Sequence, residues 1–202
     1  MTNRGRDVIG MYFYIRVTSQ THNMTESTDG PIALHAEESS VLVQGPSFTP
    51  RPALDLTARL GDGRVTTVDV RFGRLPPGFG DDDDTCLVAP NVPDGFDSDR
   101  VYRVGGPDSL TEYGVALTRV FEDVDGPVLV ELDSLTALLQ HTTLDAAFRF
   151  VHVLSGRIDR EQAVLVATID PGAHDEQTVA TMTQPFDVAI TGEEGNRQVR
   201  RR

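Results

Sequence analysis

The residues able to do chemistry in this chain gather in three short stretches. The first is Val41-Leu42-Val43-Gln44-Gly45-Pro46-Ser47-Phe48-Thr49-Pro50-Arg51-Pro52, an apolar run, a glycine turn, two hydroxyls and one cation. A turn of that kind after a strand is a place where backbone N–H groups and a cation receive an anion. The second is Val128-Leu129-Val130-Glu131-Leu132-Asp133-Ser134-Leu135-Thr136, an apolar run that ends on a carboxylate and a hydroxyl. The third run, Ala163 to Ile169, ends on Asp170, with His174 shortly after. If these three strand ends are neighbours, Gly45, Arg51, Asp133, Ser134, Asp170 and His174 line one crevice suited to a nucleotide or another anion. The plainer assignment is structural. Asp133 then caps the following segment, Asp170 opens a Pro-Gly turn, and Arg51 neutralises one of them. The plainer assignment is favoured.

Positioning such residues requires strands that end together. Val41–Val43 predicts a short buried strand, and Pro52–Leu60 predicts a helix with proline in its first turn and Gly61 and Gly63 beyond it. Val65–Phe72 alternates as a strand does. Residues 73–100 are loop-rich, with a short strand at Cys86–Val88, and Val101–Val104 is another strand. A helix runs from about Pro107 to Asp123, where Ser109 and Glu112 have capping-box spacing. Leu144, Ala147, Phe148, Val151 and Leu154 repeat with a helical period up to about Arg160. A last helix spans Glu176 to about Gln184 and a last strand Val188–Ile190. Strands alternating with helices, some apolar throughout, predict a parallel sheet covered on both faces.

The order of strand, glycine loop, helix and a later strand ending in Asp-Ser resembles the RecA/KaiC branch of the P-loop ATPases. Val128 to Thr136 looks like the Walker B strand with the Asp-Ser-Leu-Thr common in that branch, and Gly45 to Pro52 stands where Walker A would. The stretch from Asp133 to Ile190 goes further, through Ser134 to His141, Phe148 to Leu154 and Asp170 to Glu176. It is similar to a haloarchaeal family of uncharacterised RecA-like domains, sometimes called HTR-like or signal-transduction ATPases. The resemblance covers about residues 30–191. It implies one RecA-like α/β domain over 31–191, with a mostly parallel sheet of five to six strands and helices on both faces. It also implies that the strands ending at Asp133 and Asp170 lie side by side, next to the Gly45 strand.

The departures from that pattern bear on function. A P-loop needs a glycine turn, consecutive N–H donors, a lysine and a hydroxyl for Mg²⁺. With Gly45 as the first glycine, Pro50 takes the place of the second, Arg51 that of the lysine and Pro52 that of the hydroxyl. Proline deletes N–H donors, and guanidinium is bulkier than ammonium. Phe72, Gly73 and Arg74 occupy the neighbourhood of the branch's catalytic glutamate. The expectation is a non-catalytic module of regulation or assembly, with a protein partner or a second copy as its target and no cofactor. Binding of a nucleotide or anion in an altered mode is the alternative.

Composition narrows the classes further. The chain has 202 residues, a net charge of −13 and 39% apolar residues, enough for a real core. All 18 cations are Arg and there is no Lys, which excludes Schiff-base and lysine-base chemistry. An acidic surface with arginine as its only cation predicts a halophilic archaeal host and a cytoplasmic setting. The single cysteine, Cys86, pairs with nothing and predicts a small core residue. No apolar run approaches the ~18 residues a membrane helix needs. Residues 1–23 carry +2 against −15 for the remainder, and Met24 opens an acidic lead. Residues 1–30 are therefore expected to be a disordered arm or an over-extended start. Asp81–Asp84 reads as a solvated loop because cation loops need spaced carboxylates. His22, His35, His141, His152 and His174 form no zinc-like pair, and His152 is expected to be packed. The basic tail 192–202 is expected to be flexible, and the acidic body argues against nucleic acid.

Overall fold

The computed structural model describes residues 30–47, 51–73, 84–93, 99–192 and 196–202. The expectations for residues 1–29, for Arg74, and for Asp81 to Asp83 lie outside the described residues.

The main sheet has eight strands, not five to six. In chain order they are β2 (Ser40–Gln44), β4 (Thr66–Arg71), β5 (Thr85–Ala89), β6 (Val101–Arg103), β7 (Val128–Asp133), β8 (Val164–Ile169), β9 (Val188–Thr191) and β10 (Gln198–Arg201). Their spatial order is β10-β9-β2-β8-β7-β4-β5-β6. All neighbours are parallel except β10, which runs antiparallel to β9. The strand expected at Cys86–Val88 is present, and the tail adds one that was not expected. The Cys86 strand is an interior member of the sheet, paired with β4 and β6. The C-terminal tail supplies an edge strand where flexibility was expected. Arg201 holds it down, contacting Glu38 through Nη1 and donating from Nη2 to the Ala33 carbonyl at 2.9 Å.

Helices are unequally shared between the two faces. On one face α2 (Leu110–Asp123), α3 (Leu135–Leu139), α4 (Leu144–Arg160) and α5 (Glu176–Thr183) bury Leu117, Leu138, Val151 and Met182 against Val70, Val130 and Leu165. The other face is covered over β2, β8 and β9 by a two-stranded ribbon, β1 (Ile32–Ala33) with β3 (Leu54–Asp55), and by the four-residue α1 (Thr57–Leu60). The helix expected over Pro52–Leu60 is this short because Asp55 Oδ1 accepts the Thr57 N–H at 3.0 Å, an Asx-type start that postpones the first turn. The capping box at the start of α2 also forms differently. Ser109 makes no side-chain cap, and Glu112 Oε2 accepts the Gly105 N–H at 2.5 Å instead.

Period-two alternation explains what each strand contributes. In β7, Val128, Val130 and Leu132 face the helices, while Leu129, Glu131 and Asp133 face the other side. In β4, Val68 and Val70 face the helices, which sends Asp69 and Arg71 to the same side as Glu131 and Asp133. Cys86 is buried. His152 is not packed as expected: it lies on the exposed side of α4, its ring stacked on Phe148 with centroids 5.8 Å apart. No helix among the described residues is long and apolar enough to cross a membrane.

Candidate functional site

The carboxyl ends of β2, β8, β7 and β4 lie in a row, so Gly45, Asp170, Asp133 and Arg71 meet at one rim of the sheet. Open parallel sheets bind ligands at such a rim. Two separate clusters of polar side chains stand there.

The first joins the turn after β2 to the turn after β8. Ser47 donates to Asp170 Oδ2 twice, from its N–H at 2.8 Å and its hydroxyl at 2.9 Å. Asp170 Oδ1 accepts the Gly172 N–H at 2.9 Å, as the start of a 3-10 turn over Pro171–Ala173. The Asp170 N–H donates to Thr136 Oγ1 at 2.9 Å, and His174 Nε2 lies 3.2 Å from the same hydroxyl. The N–H and hydroxyl of Ser47, followed by the Gly172 N–H, hold the Asp170 carboxyl below the usual carboxylate range. Gly45 donates its N–H to the Ile169 carbonyl at 3.1 Å. Its φ is not positive, and a Cβ there would meet nothing within 4 Å, so this backbone does not require glycine.

The second cluster lies on the ribbon side of β4 and β7. Arg51 Nη1 is 3.0 Å from Glu131 Oε2, and Nη2 is 3.7 Å from Asp133 Oδ1. Arg71 contacts Asp133 Oδ2 through Nη1, and its Nε lies 2.7 Å from Asp69 Oδ1 and donates to Oδ2 at 2.8 Å. Two guanidiniums therefore thread three carboxylates, each Arg bridging two of them. The Arg51 and Glu131 side chains are each 13% exposed. Burial pushes the Glu131 carboxyl above its ordinary range, opposed by Arg51 and assisted by Asp69.

The structure divides the sequence-proposed crevice. Asp170 and His174 belong to the first cluster; Arg51 and Asp133 belong to the second. Asp170 does open the Pro-Gly turn, and Arg51 neutralises Asp133 and not Asp170. Ser134, rather than Asp133, caps the next helix: its Oγ accepts the Ala137 N–H at 3.2 Å. The Asp133–Ser134 peptide is cis. Sequence reasoning missed Glu131, Asp69, Arg71, Ser47 and Thr136. The signal for three of them was present. Asp69, Arg71 and Glu131 are charged residues at alternate positions of otherwise apolar strands, which places them on one face with Asp133.

No curated protein matches the chain. Solved structures do. One is a protein of Pyrococcus horikoshii OT3 from a structural study of PH0250, with 10% identity, 83% of this chain and 88% of that one covered, and a TM-score of 0.52. Another is the KaiC-like protein PH0186 from the same hyperthermophilic archaeon, with 14% identity, coverage of 82% and 80%, and a TM-score of 0.52. At such identities the likeness establishes the fold, a RecA/KaiC-type α/β sheet, and nothing of the chemistry. A family model matches residues 35–192, most of the chain, and the chain belongs to that family, the family of unknown function DUF7504.

Proposed function

We propose that this chain is a non-catalytic RecA/KaiC-like module that acts in regulation or protein assembly, through contact with a protein partner or a second copy of itself. The observation that carries the reading is that the rim's own residues occupy one another. The Ser47 N–H and hydroxyl, which a bound phosphate would use, already serve Asp170. The cations that would meet a polyphosphate, Arg51 and Arg71, are committed to Glu131, Asp133 and Asp69. An incoming anion must break charge-assisted hydrogen bonds before it makes its own, and each such bond is worth about 1.5–3 kcal/mol. Pro46 and Pro52 offer no N–H in exchange. The acidic, lysine-free composition supports placing the module in the cytoplasm of a halophilic archaeon, and haloarchaeal signalling is the process we assign to it.

Thermal unfolding in multimolar KCl tests the reading, with and without millimolar ATP or ADP and Mg²⁺. A ligand that binds only the native state at a hundredfold excess over its Kd stabilises it by about 2.7 kcal/mol. The expected result is no shift in midpoint. A clear shift that Arg51→Ala abolishes would replace this reading with nucleotide binding in an altered mode.

A further inference from the structure

We propose that Glu131 and Asp69 hold one proton between them, with Glu131 Oε1 as the donor and Asp69 Oδ1 as the acceptor. The two residues are register partners on adjacent parallel strands and point to the same face. Strand spacing puts their backbones about 4.8 Å apart. Glu131 Oε1 and Asp69 Oδ1 are both excluded from solvent and neither receives an aligned hydrogen bond, although Arg71 Nε lies 2.7 Å from Asp69 Oδ1. Buried acceptors on register-paired side chains are costly without an aligned donor, and one added proton gives Glu131 Oε1 an O–H to offer Asp69.

The charges lead to the same result. Among the described residues the groups that face this pair are Arg51 from the segment before β3, Arg71 from β4 and Asp133 from β7. With every group ionised, three carboxylates oppose two guanidiniums and leave one uncompensated negative charge at a site where Asp69 is 7% exposed. Taking one proton from solvent forms a single O–H bond on Glu131 and brings the cluster to neutrality. Arg51 remains in place on Glu131 Oε2, now a carbonyl-like acceptor. A metal ion is the other way to neutralise two orphan oxygens. Two oxygens are too few for a cation that takes about six ligands, and both guanidiniums would repel it. Burial and the neighbouring Asp69 both raise the proton affinity of Glu131.

The consequence is a stability that falls as pH rises. A carboxyl whose folded-state pKa lies above its unfolded value binds its proton more tightly in the native chain. Its contribution is complete below the unfolded pKa and is lost as pH climbs through the folded one. The test compares the full-length chain with Glu131→Gln, whose amide keeps a donor on Asp69 without a titrating proton. Infrared spectra should contain a protonated-carboxyl band at neutral pH in the wild type that Glu131→Gln lacks. The urea midpoint of the wild type should fall relative to the variant from mildly acidic to alkaline pH. Asp69→Asn is the second variant, should Glu131→Gln fail to fold: with an amide donor opposite, Glu131 ionises beside Arg51 and the band again disappears. An unchanged band in either folded variant would overturn the proposal. So would an identical pH dependence of wild type and Glu131→Gln, or a wild-type midpoint that follows the identity of the cation at fixed ionic strength.

Discussion

Replacing Arg71 by alanine tests whether the charge cluster is a structural element or a surface ornament. The Arg71 side chain is 19% exposed, that of Asp69 is 10% exposed, and that of Asp133 is 37% exposed. Arg71→Ala removes the cation that Asp69 contacts and leaves Asp133 with Arg51 at 3.7 Å alone. Removing one partner of a buried pair costs about 3–5 kcal/mol. The half-exposed Asp133 contributes a share nearer the surface value of about 1 kcal/mol or less, so the loss should fall near the lower end, about 3 kcal/mol. For a chain of this length that is a drop in Tm of about 6–12 °C. Urea unfolding at fixed pH is the assay, with an unchanged slope as evidence that the unfolded state is unaltered. Because the pair is shielded, the cost should persist in multimolar KCl, where surface pairs are screened. Arg71→Ala combined with Asp69→Asn removes the stranded charge, and the double variant should be more stable than the sum of the singles by about 1 kcal/mol or more. A loss below about 1 kcal/mol, or strict additivity, would refute the claim that the rim is held closed by its own ions.

Two further outcomes follow from other contacts. Asp187 Oδ2 accepts four donors, the N–H and hydroxyl groups of Ser39 and Ser40, at 2.9 to 3.2 Å. Both serines are nearly fully buried, and each orphaned donor costs about 1–3 kcal/mol. Asp187→Ala should therefore lower stability by at least about 2 kcal/mol and speed hydrogen exchange at the start of β2; unchanged exchange at Ser39 and Ser40 would contradict the assignment. Ser47→Ala should raise the Asp170 pKa toward the ordinary carboxylate value, read by carboxyl NMR titration. The sign for stability follows: a depressed pKa contributes above the unfolded value and is lost as pH falls through the folded one, so acid should cost the wild type more than the variant. The Ser47 N–H stays in this variant, so an unmoved Asp170 titration would sink the hydroxyl contact alone.

The long amphipathic elements were legible because a single period runs through them. Leu144 to Arg160 is α4 residue for residue, and the apolar run at Val164–Ile169 is β8. The strands that escaped notice had local reasons. Gln198–Arg201 has no apolar run, and it becomes β10 because β9 offers an open edge and because Arg201 reaches Glu38 and the Ala33 carbonyl. Leu54–Asp55 resembles part of a helix until the parallel partner at Ile32–Ala33 claims it. Both are tertiary pairings that override local propensity. The site was legible by position and misread by partner. Counting residues along the chain located the strand ends, but nothing in one strand's sequence says which of Glu131, Asp133 and Asp170 will receive Arg51. The segment before β3 brings Arg51 onto Glu131 and Asp133 of β7, and the register of β4 against β7 aligns Asp69 with Glu131 and Arg71 with Asp133.

The same register shows what arginine does at this rim that lysine would not. Asp133 sits between two cations and each cation sits between two carboxylates, so every positive group must hold two partners at once. A planar guanidinium does this with donors on separate nitrogens at fixed angles; an ammonium is one point charge on a flexible stem. Arg51, which the sequence resemblance would set where a P-loop carries lysine, is thus the side chain suited to bridging carboxylates of the protein's own sheet. Phosphate recognition needs that cation to be available, and sheet closure needs it to be spent. Arg51, 13% exposed and shared between Glu131 and Asp133, is spent on the sheet.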